Sequence, residues 1–192
     1  MFMEDWKKEV FTIPNLLSLF RLALIPVYTT IYLKAQDTGA YFLAASILAV
    51  SCLTDMIDGQ IARHFHMMSN LGKLLDPLAD KLTQLTLTVC LSVRYPVLRG
   101  VLVLLVFKEA FQATATFLMF TKGKALPGAL AAGKICTTVL FVSLILLVLF
   151  PELPARTVNG IALSNLFFLS YSFISYAFAF FGNHTKLEDI DP

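Results

Sequence analysis

The stretch Asp55-Met56-Ile57-Asp58-Gly59-Gln60-Ile61-Ala62-Arg63, followed after eight residues by Gly72, Asp76 and Asp80, sets four carboxylates into two long apolar segments joined by a short loop. Ionised groups at membrane depth are expensive and mark functional sites. Asp55 and Asp58 are spaced i, i+3, and Asp76 and Asp80 i, i+4, so each pair shares one face of its own helix. The hairpin also matches the pairs in depth. Its turn centres near Met68, with Asp55 13 residues before that point and Asp80 12 after it. At a rise of about 1.5 Å per residue, all four carboxylates fall within roughly two turns of one level.

Four like charges that close cannot all stay ionised without cations. Ligands that are all oxygen favour a hard divalent ion, Mg²⁺ first, with Mn²⁺ and Ca²⁺ compatible. Four carboxylates suffice for two ions about 3.5–4 Å apart, the arrangement that clamps a phosphoryl group during in-line displacement. Gly59 lets a ligand approach its helix closely. Arg63, one turn further on, is placed to hold a phosphate with two parallel hydrogen bonds.

The rest of the chain sets this hairpin in a membrane. The 192 residues are 57% hydrophobic and 15% charged, with mean hydropathy +0.74, where a soluble domain is about 45–50% apolar. A net charge of +2 gives no reason to expect nucleic acid. Cys52, Cys90 and Cys136 lie scattered in apolar runs without metal-ligand spacing and read as small buried side chains. His64 and His66 flank the hairpin loop without the other ligands of a zinc site. No cleavable signal is expected, since the charged start lacks a short apolar run with a small-residue cleavage site.

Residues 1–12 carry Phe2, Trp6 and Val10 at i, i+4, i+8, with Lys7 and Lys8 off that stripe, the pattern of an amphipathic interfacial helix. Six apolar spans follow, at about 14–34, 41–64, 72–93, 97–120, 134–150 and 160–182, each near the roughly 20 residues a bilayer requires. The expected fold is therefore all-α and polytopic, with six transmembrane helices in one membrane domain, 13–183, and a cytosolic tail, 184–192. The breaks carry turn chemistry, as in Gln36-Asp37-Thr38-Gly39, Tyr95-Pro96 and the run from Pro151 to Gly160. With the N-terminus inside, eight Lys and Arg lie on the cytosolic side (Lys7, Lys8, Arg63, Lys73, Lys122, Lys124, Lys134, Lys186) and four outside (Lys34, Arg94, Arg99, Arg156). That bias opens the acid cluster towards the cytoplasm.

The motif resembles the signature of the CDP-alcohol phosphotransferases, D-x2-D-G-x2-A-R-x8-G-x3-D-x3-D. Every fixed position is filled, by Asp55, Asp58, Gly59, Ala62, Arg63, Gly72, Asp76 and Asp80. The resemblance implies Asp55, Asp58, Asp76 and Asp80 as ligands of a pair of Mg²⁺ ions, Asp80 as catalytic base, and Asp58, Gly59, Ala62, Arg63 and Gly72 in binding the CDP-alcohol. Asn15, Ser18 and Arg21 recur every three residues on one helical face. They look like the family's N-x2-T/S-x2-R element, which helps bind the CDP group. A homodimer in a bacterial cell membrane is likewise implied by resemblance.

The same resemblance sets the expected reaction. The stretches Ile13–Arg21 and Leu75–Lys81 are similar to the phosphatidylglycerolphosphate synthases of that family, which move a phosphatidyl group from CDP-diacylglycerol to glycerol 3-phosphate. Cardiolipin synthases, with phosphatidylglycerol as acceptor, share both stretches and are the alternative. An anionic acceptor needs cations besides the metal, and Lys108, Lys122, Lys124 and Lys134 are the candidates. Lys108-Glu109 stands where that subgroup often has Arg-Glu. Neighbours on a helix point about 100° apart, so Lys108 is expected to be available rather than paired with Glu109. An ion-coupled transporter also carries intramembrane acids, but neither inverted repeats nor interrupted helices are evident. An aromatic prenyltransferase would lack the Gly59-to-Arg63 continuation.

Overall fold

The computed structural model describes residues 13–64, 72–121 and 131–181. The expected helix at 1–12, the hairpin loop, Lys122, Lys124 and the tail lie outside the described residues. So do the side chains of residues 55–64 and of Asp76.

Among the described residues there are six helices and no strand: α1 (Ile13–Lys34), α2 (Thr38–His64), α3 (Gly72–Arg94), α4 (Leu98–Phe120), α5 (Ala131–Leu149) and α6 (Ala155–Phe181). They fall into two helical units, Met1–Cys90 and Leu91–Pro192. In the first, α1 packs along α2. Leu24 and Tyr28 of α1, Leu48 and Ser51 of α2, and Thr83 and Leu87 of α3 surround one small cleft, so the three helices converge. In the second, α6 packs against both α4 and α5.

The sequence explains where helices begin. Asp37 caps α2 by accepting a hydrogen bond from the Ala40 N–H at 2.7 Å, which satisfies a donor that the helix itself cannot. Pro96 precedes α4, and Leu98 N–H closes a turn on the Tyr95 carbonyl at 2.9 Å. Three starts differ from expectation by three residues or more, the first being α2, which begins at Thr38 and not near 41. α6 begins at Ala155 and not near 160, because Pro154 serves as its start and accepts from Thr157 and Val158 at 2.9 and 3.2 Å. Gly160, read as part of the break, continues the helix with open space where a Cβ would be. α5 begins at Ala131 and takes Gly133 into its first turn.

Four helices are long and apolar enough to cross a membrane by length and composition: Asn15–Lys34, Leu98–Leu118, Ala132–Leu149 and Ala155–Phe181. Among the described residues, α2 and α3, which carry the four aspartates, fall outside that group. The surface supports a lipid setting. Val103, Phe107 and Phe117 of α4 and Phe167 and Phe178 of α6 are exposed, as apolar side chains facing hydrocarbon should be. Exposed hydroxyls turn back to their own helix: Thr114 and Thr116 each donate to the carbonyl four residues back at 2.8 Å, and Ser175 at 2.9 Å, as a lipid setting requires.

The buried side of α6 is a heptad stripe, Val158, Ala162, Asn165, Leu169, Ser172 and Tyr176, the spacing that keeps one seam against neighbouring helices. Asn165 Nδ2 donates to Ser143 Oγ of α5 at 2.8 Å. Such interhelical hydrogen bonds in membranes contribute about 0.6–1.7 kcal/mol. Ser143→Ala and Asn165→Ala should each lower the melting temperature of the detergent-purified protein. The double variant should melt no lower than the weaker single one, because both changes remove the same contact.

Candidate active site

In α1, Asn15, Ser18 and Arg21 are 1%, 2% and 3% exposed, while Leu16, Leu19 and Phe20 between them are 46%, 42% and 46% exposed. A helix in water would show the opposite order. The polar stripe faces inward because protein can satisfy it and hydrocarbon cannot. Arg21 shows how. Its Nη1 donates to Asp80 Oδ1 of α3 at 2.7 Å, across 59 residues of sequence. The guanidinium lies inside, whereas the Asp80 side chain is 55% exposed. A charge-assisted contact of this length fixes the carboxylate while leaving it reachable.

The other two helices continue the polar interior. Ser51 and Thr54 of α2 are buried, and the Thr54 hydroxyl donates to the Val50 carbonyl at 2.7 Å. Asp55 and Asp58 follow at register positions that extend the same stripe, since 51, 54, 55 and 58 run i, i+3, i+4, i+7. On α3, Ala79, Gln84 and Thr88 are buried, and Asp76, Asp80, Gln84 and Thr88 recur every four residues. Gly59, Ala62 and Arg63 lie in the last turns of α2, and Gly72 is the first residue of α3. All four aspartates thus sit on two helices of one unit, towards the end of α2 and the start of α3. Asp80 is the one whose side chain is described, and among the described residues no cluster of three or more His, Cys, Asp or Glu occurs. The donor set of the quartet, carboxylate oxygen throughout, fits a hard divalent cation, and the exposed Asp80 carboxylate is compatible with binding one.

The candidate cations lie in the second unit. Lys108, on α4, is buried, and Lys134, on α5, is exposed. The expectation that Lys108 stands apart from Glu109 is corrected: Lys108 Nζ lies 2.7 Å from Glu109 Oε1. Their Cβ atoms do diverge, but the long lysine stem and the flexible glutamate bridge that angle. In a setting without water, pairing outweighs the bending. Two features had no clear sequence signal. The Arg21–Asp80 contact joins residues too far apart for any local pattern. Tyr176, whose ring has Lys108 Nζ 5.8 Å from its centroid, was hidden in an aromatic-rich run, although the α6 heptad stripe reaches it.

A family model described as CDP-alcohol phosphatidyltransferase matches residues 11–180. A protein of Bacillus subtilis named CDP-diacylglycerol–glycerol-3-phosphate 3-phosphatidyltransferase is 30% identical over 139 residues, 67% of this chain and 72% of that protein. A putative cardiolipin synthase of Mycobacterium tuberculosis is 35% identical over 122 residues, 63% of this chain and 57% of the other. A cardiolipin synthase (CMP-forming)/mitochondrial hydrolase fusion protein of Schizosaccharomyces pombe is 42% identical over 90 residues, 46% of this chain and 14% of the fusion. The match therefore spans well under two thirds of these last two relatives.

The Arg21–Asp80 contact can be weighed directly. Arg21→Met, Asp80→Asn and the double variant form a thermodynamic cycle. A coupling of about 1 kcal/mol is expected, above a fully exposed pair because Arg21 is buried and below a fully buried one because Asp80 is not. Additive losses in thermal or denaturant unfolding of the purified protein would show that the two do not interact.

Proposed function

The chain belongs to the CDP-alcohol phosphatidyltransferase family, and on that premise we propose that it moves a phosphatidyl group from CDP-diacylglycerol to glycerol 3-phosphate, releasing CMP. The observation that carries this reading is the Arg21–Asp80 contact at 2.7 Å. It joins the buried polar stripe of α1, assigned to the CDP group, to the last aspartate of the motif, assigned to proton transfer.

In this reading all six helices cross the membrane. α2 and α3 have 27 and 23 residues, long enough to do so. The Lys and Arg bias turns the hairpin loop to the cytoplasm. CDP-diacylglycerol then keeps its acyl chains in lipid while its pyrophosphate meets the α2–α3 hairpin. Asp55, Asp58, Asp76 and Asp80 hold divalent ions, Mg²⁺ foremost and two in number. When bound, the ions supply Lewis acidity and neutralise the pyrophosphate. Asn15, Ser18 and Arg21 orient the cytidine end with Asp58, Gly59, Ala62 and Gly72. Arg63 grips a phosphate oxygen. Asp80 accepts the proton of the acceptor hydroxyl as that oxygen attacks the lipid-side phosphorus. A phosphorus–oxygen bond forms to the acceptor, the bridging bond breaks, and CMP leaves. Lys108 and Lys134, with Lys122 and Lys124 of the preceding loop, receive the acceptor's phosphate.

A second reading, phosphatidylglycerol as acceptor, is favoured by the Lys108–Glu109 pair, which halves the obvious cationic charge within α4. Two of the three relatives described above carry the cardiolipin synthase name. A panel of acceptors offered with CDP-diacylglycerol and Mg²⁺, scored by CMP release and lipid product, separates the two. Higher turnover with phosphatidylglycerol than with glycerol 3-phosphate would replace the first reading by the second.

Two outcomes test the chemistry. EDTA should abolish CMP release, and Mg²⁺ or Mn²⁺ should restore it; full activity after exhaustive chelation excludes the metal assignment. Asp80→Asn should lower turnover by about 10²–10⁴-fold, the usual loss of a general base, while CDP-diacylglycerol binding persists. Turnover near wild type would remove Asp80 from that role.

A further inference from the structure

The second unit holds a charged cluster that the aspartate motif leaves unexplained. Lys108 is 10 residues from the start of α4 and 12 from its end, about 15–18 Å from either at helical rise. It is 5% exposed. An ammonium at that depth needs compensation from several directions. Glu109 supplies one at 2.7 Å. The face of the Tyr176 ring supplies another, with the centroid 5.8 Å from Nζ, inside the range at which a ring attracts a cation.

Tyr176 is itself held by an unusual approach. A Cβ built on Gly133 would lie 2.7 Å from the Tyr176 hydroxyl and 3.1 and 3.3 Å from two ring carbons. Real Cβ atoms do not come that close to a neighbour. Only a residue without a side chain lets the buried ring lie against the first turn of α5. Gly133, Tyr176, Lys108 and Glu109 therefore form one chain of contacts across α5, α6 and α4. The two ends differ in access: the Lys108 side chain is 6% exposed and that of Glu109 24%. The ammonium points inward and the carboxylate sits nearer the rim.

We propose that Gly133 and Tyr176 are positioning residues that fix the Lys108 ammonium, with Glu109 as its resting counter-ion, for the phosphate of an anionic acceptor. The inference rests on the reading of Lys108 as an acceptor residue and deepens it. The ring sets where the ammonium lies, the glycine sets where the ring lies, and Glu109 holds it at 2.7 Å between turnovers. An arriving phosphate takes over from Glu109 without the lysine having to be moved.

The experiment measures KM for glycerol 3-phosphate and for CDP-diacylglycerol, together with kcat, on the purified full chain with Mg²⁺. Lys108→Met should raise the acceptor KM by about tenfold or more. Gly133→Ala and Tyr176→Leu, which displace or remove the ring, should raise it by about five- to tenfold, with the CDP-diacylglycerol KM within about twofold of wild type. Adding Tyr176→Phe to Gly133→Ala deletes the hydroxyl met at 2.7 Å and keeps the ring, so part of the acceptor KM should return. If Lys108→Met raises the acceptor KM but Gly133→Ala and Tyr176→Leu do not, the positioning role is wrong and the Lys108 reading stands. If Lys108→Met leaves it unchanged, both are wrong. Equal changes in both KM values, or a loss confined to kcat, would assign Gly133 and Tyr176 a general packing role and overturn the proposal. Should Gly133→Ala not purify as a monodisperse protein, Tyr176→Leu decides.

Discussion

The structure depends on one constraint: polar and charged groups placed among apolar helices must find partners within the protein. Arg21 is the clearest case. A guanidinium 3% exposed in a helix whose other faces are leucine and phenylalanine is sustainable only against an acceptor. Asp80 provides one at 2.7 Å from another helix. This contact ties the first helix of the chain to the third, and so determines that the polar stripe of α1 faces the motif-bearing helices rather than lipid. Asn15 and Ser18 are carried to the same side by their spacing from Arg21.

The second unit meets the same constraint by different means. Lys108 carries its counter-ion as its own neighbour, which neutralises the pair before any tertiary contact forms. What remains is to position it, and that falls to an aromatic face and to the glycine that admits it. Asn165 and Ser143 satisfy each other across α5 and α6. The two units thus differ in kind. In the first, oppositely charged residues distant in sequence are joined by folding; in the second, a locally neutral pair is placed by packing.

That difference bears on function within the family. In the proposed reading Asp80 serves the phosphotransfer centre, and its carboxylate is bonded to Arg21 yet more than half exposed. An acceptor site for an anion needs a cation that is held but exchangeable. In the proposed reading, the Lys108–Glu109 pair set against the Tyr176 ring meets that description.

Much was legible in the residues alone. Eight fixed positions from Asp55 to Asp80 identified the family through the resemblance to its signature. Apolar runs of about twenty residues located the six described helices, to within five residues at every start and one at every end, since hydropathy and turn residues are local signals. The three-residue interval of Asn15, Ser18 and Arg21 foretold one shared face, and burial agrees. Tertiary structure decided the rest. No local pattern links Arg21 to Asp80, because a contact across 59 residues is a product of helix packing. The angle between neighbouring Cβ atoms misled for Lys108 and Glu109, because long side chains bend when there is no water to solvate them apart. The bond between Gly133 and the Tyr176 ring's position was invisible in sequence, because a glycine's missing side chain has meaning only once another helix lies against it.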